Sequence, residues 1–149
     1  MPQATDLYRA LTHLSNDQQR LKTKFEELQK CAEHINTHTG LTKVMSVGPM
    51  NQAGNAFECT VASLPVVFHF DIFIDANDKP RGRITTTMPA LPPNAGSMLS
   101  ESVAFDRTGD IDMPKVDDIE DALNLSDTPS AIYITCKLLR NALVARAPK

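Results

Sequence analysis

The stretch LYRALTHLSNDQQRLKTKFEELQKCAEHI, residues 7–35, decides how the chain folds. Its apolar residues advance in alternating steps of four and three. Leu7, Leu14, Leu21, Leu28 and Ile35 recur every seven residues, and Leu11, Gln18, Phe25 and Ala32 fill the second position of the repeat. A 3.5-residue period keeps one narrow stripe on one side of a helix, which is the pattern of a coiled-coil seam. Gln18 is the one polar residue in the seam and would set register at some cost in stability. Arg20, Lys22, Lys24, Glu26, Glu27 and Lys30 surround the stripe with charge. Ser15 and Gln18 carry the spacing of a capping box, a possible break. The heptad phase survives it, so a continuous helix is expected, ending at Thr39–Gly40 with glycine in a left-handed cap.

Beyond Gly40 the apolar period changes from 3.5 to two. Residues 42–50 and 56–64 read as strands around the turn-rich NQAGN. VVFHFDIFID, residues 66–75, is the clearest strand: Val66, Phe68, Phe70, Ile72 and Ile74 face one way, and Val67, His69, Asp71, Phe73 and Asp75 the other. A turn at Ala76–Pro80 leads into RGRITTTM. Pairing Ile74 with Gly82 and Ile72 with Ile84 matches the apolar faces and sets Asp75 opposite Arg81. MPALPPNAGS, residues 88–97, ends the meander in a proline-bearing loop. SVAFD adds a further strand, a short helix is expected over Pro114–Leu123, and Asp127 or Thr128 starts a last helix with the stripe Ile132, Cys136, Leu139 and Leu143.

The expected class is therefore α+β: a long N-terminal heptad-patterned helix, a four- or five-stranded antiparallel meander, and C-terminal helices packed on one face. Residues 1–40 read as an association segment and 41–149 as the globular domain, in one folding unit overall. The 149 residues suit a single domain, which buries roughly two thirds of its unfolded surface. Cys31, Cys59 and Cys136 make no pairable framework, which favours a reducing compartment. With no secretory signal and no spanning apolar run, the expectation is a soluble protein, cytoplasmic or nuclear, with no membrane role. Net charge is −3, and residues 101–127 hold nine acids against Arg107 and Lys115. That belt repels phosphate backbones and argues against nucleic acid as a partner.

Three constellations merit weighing as sites. Cys31, His34 and His38 share one side of a helix, yet they fall short of a zinc ligand set and flank the seam, so no metal or other cofactor is expected. His69 and Asp71, beside one another on the outer face of residues 66–75, are placed for acid–base work if that face lines a cleft. Phe73 among them predicts that the face is covered by a helix or a partner. The aspartate-rich DIFIDANDKP and FDRTGDID lack the spacing of a calcium loop and read as turns. No glycine-rich phosphate loop occurs.

The element order is similar to that of secretion-chaperone-like domains, and also to RWD and ubiquitin-conjugating-enzyme-like domains, with MPALPPN standing where the latter carry a proline loop. That likeness implies an interaction module. The cysteine of an active conjugating enzyme has no counterpart, since no cysteine lies between Cys59 and Cys136. The leading functional expectation is a non-enzymatic interaction or adaptor protein that forms a homodimer or coiled-coil heterodimer through Leu7, Leu11, Leu14, Gln18, Leu21, Phe25, Leu28, Ala32 and Ile35. The competing expectation packs this seam on the protein's own sheet. Two further alternatives are a chaperone, immunity or inhibitor protein docking a basic partner on the 101–127 belt, and a ligand-binding or catalytic site at His69/Asp71.

Overall fold

The computed structural model describes residues 4–38, 40–89, 97–112 and 123–145. Helix α1 spans Ala4–Ala32 without a break and runs on as a 3-10 turn over Glu33–Thr37. A second 3-10 turn, Leu41–Lys43, leads into six strands: β1 (Met45–Met50), β2 (Ala56–Val61), β3 (Leu64–Ile74), β4 (Pro80–Pro89), β5 (Ser97–Phe105) and β6 (Ile111–Asp112). Helix α2, Thr128–Ala145, closes the described chain. The strands form one antiparallel sheet in sequence order, a plain meander. The architecture is α+β, as the change of period at Gly40 implies. The helix expected over Pro114–Leu123 and most of the proline loop lie outside the described residues.

Alternation along the strands makes one face of the sheet dry. Val47, Phe57, Cys59, Val66, Phe68, Ile84, Val103 and Phe105 are buried on that face. Helix α1 packs on β1, β3 and β4, and α2 packs on α1, β4 and β5, so both helices cover the same side. Aromatic rings knit the layers together. Phe25 of α1 lies 5.4 Å from Phe57 and 5.3 Å from Phe70, centroid to centroid, Phe57 stacks on Phe68, and Phe70 meets Phe105. Five of the six phenylalanines thus form one continuous chain through the core.

Local details depart from the sequence expectations for physical reasons. The β3–β4 register is displaced by two residues: Ile72 pairs with Gly82 and Phe70 with Ile84, so Asp71 faces Arg83 and Phe73 faces Arg81. The cause is the turn at 75–79. Asp75 Oδ1 accepts from the amides of Asn77 (2.8 Å) and Lys79 (3.0 Å), closing a tighter loop than the expected one, so that Ile74 pairs with Pro80. An even displacement leaves every side chain on its original face, so the dry face survives. Gly40 has φ −74°, so it is not a left-handed cap. The hairpin between β2 and β3 turns on Ala62 and Ser63, both at positive φ (49° and 67°), which shortens the strand read over 56–64. At the outer edge, Asn36 acts as a surrogate strand: its Oδ1 accepts from the Val47 amide and its Nδ2 donates to the Val47 carbonyl, both at 2.8 Å. Gln29 donates to the neighbouring Gly48 carbonyl.

Gly82 is required for space. A Cβ there would lie 2.3 Å from Cζ of Phe105, whose ring is fully buried directly across the β4–β5 pair. Gly82→Ala is expected to lower stability by about 1–3 kcal/mol, the usual cost of overpacking a filled core, measured by urea unfolding. An unchanged midpoint would contradict the close approach of Phe105.

Candidate functional site

The nine seam positions separate into two groups. Leu21, Phe25, Leu28, Ala32 and Ile35 are fully buried against the chain's own sheet and helix α2, so these five do not face a partner. The sheet's dry face supplies the apolar surface that the stripe needs. Leu7 and Leu11 remain 58 % and 57 % exposed, Leu14 is half-buried and Gln18 is exposed. The helix overhangs its sheet: Leu7 and Phe25 point in nearly the same direction around the axis, but Leu7 lies about 21 Å beyond Leu21. Tyr8, 71 % exposed, stands beside the stripe.

Beneath the overhang is a cleft of about 810 Å³. Arg9, Ala10, His13 and Asp17 of α1 form one wall, and the β3–β4 and β5–β6 turns form the other. The two turns are built alike. Asp75 accepts from the amides two and four residues on, and Asp106 Oδ1 does the same with Thr108 and Asp110 (3.0 and 3.1 Å). The aspartate-rich segments are therefore turns held by their own carboxylates. Asn124 donates to Asp110 and to the Thr108 carbonyl, fixing the second turn, and Arg107 reaches Asp17 at 3.7 Å. Arg9, Lys79 and Arg81 also line the cleft, and their side chains make no hydrogen bond or ion pair among the described residues. Nε of Arg81 is buried without a partner. These cations come from separate elements with no common motif, so sequence spacing carries no signal for them.

The other constellations have structural employment. His69 Nε2 bonds Thr87 Oγ1 (3.0 Å), and Asp71 accepts from Nε (3.0 Å) and Nη2 of Arg83. Neighbours along the strand, His69 and Asp71 are thus each engaged sideways, on an open sheet face rather than in a cleft. The Asp71 hydrogen bonds push the Arg83 guanidinium above its ordinary value, and Arg83 lies 5.6 Å from the Phe73 ring centroid. That cation lies against Phe73, and no described helix packs on this face as the sequence led one to expect. Cys31 faces the start of α2, accepting from Thr128 Oγ1, while His38 Nδ1 accepts from the Leu41 amide. Among the described residues no three His, Cys, Asp or Glu side chains converge as a metal site, and no helix is long and apolar enough to cross a membrane. Burial pushes the Cys59 thiol up to about 12 and raises that of Cys136, which suits packing rather than nucleophilic attack. Of the acidic belt, Asp106 and Asp110 hold their turn, and Asp127 caps α2 by accepting from the amide and hydroxyl of Ser130.

Compared with known proteins, the chain matches no family model, no curated protein and no solved structure.

One charged cluster ties α1 to the loop before α2. Lys24 Nζ donates to Ser126 Oγ (2.8 Å) and to Glu27 Oε2 (3.1 Å), and Ser126 Oγ donates to the same Glu27 oxygen. The Ser126 hydrogen bond, more than Lys24, lowers the Glu27 carboxyl below its ordinary value of 4.5. A carboxylate lowered in the folded state stabilises the fold above its unfolded pKa, and that contribution disappears as pH falls through the folded value. The carboxylate is more than a third exposed, so the effect is modest. Wild type should therefore melt above Glu27→Gln at pH 6–7, with the gap closing below about pH 4. A gap that widens in acid would contradict the cluster.

Proposed function

We propose that the chain is a protein–protein interaction module that associates with a second copy through the overhanging part of α1. The observation that carries this reading is the exposure of Leu7 and Leu11 on the same heptad phase as the buried Leu21, Phe25 and Leu28. A stripe suited to packing on a partner runs out of its own sheet and continues in solvent. Its narrowness favours a helix as partner, since a sheet recruits a wider face. The segment from Ala4 to Arg20 carries Asp6 and Asp17 against Arg9 and Arg20, so two copies brought together do not repel through net charge. Exposed Leu7, Tyr8 and Leu11 form an apolar cluster on an otherwise polar segment.

Magnitudes decide the strength to look for. Burying two leucines from each copy contributes roughly 6–12 kcal/mol at about 1.5–3 kcal/mol per side chain, before the losses of partial burial. Association costs roughly 4–15 kcal/mol in lost freedom. The balance points to a weak dimer, in the micromolar range or above. Light scattering from low micromolar to about 500 μM protein is expected to show molar mass rising towards twice 16.4 kDa. Leu7→Asp combined with Leu11→Asp should hold the protein at monomer mass while leaving its melting temperature almost unchanged, since neither residue belongs to the core. Wild type that stays monomeric throughout the range would overturn the proposal.

A further inference from the structure

The cleft beneath the overhang points to a ligand distinct from a partner helix. We propose that it binds a compact anion with a phosphate or carboxylate head group, held by Arg9, Lys79 and Arg81.

Hydrogen-bond supply and demand in the cleft carry this assignment. Four carboxylates line it, and three have employment. Asp75 and Asp106 accept from the amides of their own turns, and Asp17 faces Arg107. The donors are in surplus. Arg9, Lys79 and Arg81 have no acceptor among the described residues, and Nε of Arg81 is withdrawn from water without any hydrogen bond. A buried donor left unsatisfied is costly, and charged donors make the strongest bonds to anionic oxygens. The three cations belong to α1, the β3–β4 turn and β4. Two of these are held firmly: the turn by Asp75, and β4 by ladders on both sides. Against these three cations, Asp78 is the one lining carboxylate without a partner among the described residues, so most of their hydrogen-bonding capacity is open to a ligand.

The carboxylates limit the size of that ligand. Asp17, Asp75, Asp78 and Asp106 lie in the same cleft, so a long polyanion would meet as many negative charges as positive ones. A single anionic head group can sit against the three cations, leaving a neutral or cationic body near the aspartates. His13, on the same wall, adds a ring nitrogen that can donate or accept.

Calorimetric titration at low ionic strength tests the site, with inorganic phosphate in one arm, malonate in a second and a single-stranded oligonucleotide in a third. Saturable binding of phosphate or malonate is expected, and the tighter of the two identifies the head group. Arg9→Gln and Lys79→Gln should each weaken it about tenfold, one charged hydrogen bond's worth, whereas Lys43→Gln, an exposed cation outside the cleft, should leave it unchanged. Arg9 and Lys79 lie outside the core, so these variants keep their melting temperature even if Arg81→Gln does not. Absence of saturation with both small anions overturns the site. So does equal weakening by Lys43→Gln, or a preference for the oligonucleotide that depends on Arg9.

Discussion

The structure depends on Phe25, set between Phe57 and Phe70. Through those two rings α1 grips β2 and β3, and Phe68 and Phe105 extend the contact across the dry face of the sheet. Leu21 and Leu28, one turn to either side, are fully buried by the same seating. Removing a phenylalanine ring from a packed core typically costs roughly 3–5 kcal/mol, against a total stability of roughly 5–15 kcal/mol for a domain. Helix α2 then completes the cover by packing beside α1, with its start tied to α1 through Lys24, Ser126 and Glu27. A meander with one apolar face cannot stay folded uncovered, and this helix seat supplies much of the cover.

Where the seat ends, the functional features begin. The helix is about 43 Å long, and only its C-terminal half finds sheet beneath it. The remainder overhangs two aspartate-closed turns, which leaves its apolar stripe without sheet to cover it and forms a charged cleft with the turns. Arg107 and Asp17 bridge the gap at 3.7 Å with most of the arginine exposed, a contact that positions the overhang more than it stabilises it. Both proposed surfaces are thus consequences of one mismatch in length between a helix and the sheet that supports it.

Much of this was legible in the sequence, and the failures have identifiable causes. The heptad stripe and the alternation in residues 66–75 each specify an element type and a buried face, because period alone determines which side chains align. Whether Leu21 and Phe25 meet a partner or their own sheet is a tertiary matter that the stripe does not encode. The Ala62–Ser63 turn escaped because neither residue is among the usual occupants of positive φ. The β3–β4 register slipped by two because the loop width depends on a hydrogen bond that the Lys79 amide donates to the Asp75 carboxylate. The cleft cations went unseen because Arg9 and Lys79 are brought together only by the overhang. Asn36 and Gln29, which shield the β1 edge, look like ordinary polar surface residues until the strand is placed beside them.

Residue-resolved amide hydrogen exchange along α1, at low micromolar concentration where the proposed dimer would dissociate, tests the division of the helix most directly. Amides from Phe25 to Ile35 are expected to exchange only through global unfolding, because their side chains are sealed against the sheet. Amides from Tyr8 to Asn16 should exchange faster by orders of magnitude, since an unsupported helical segment of this length is marginal in water. Uniform protection from Tyr8 to Ile35 would contradict the account, as would rapid exchange on both sides of Leu21.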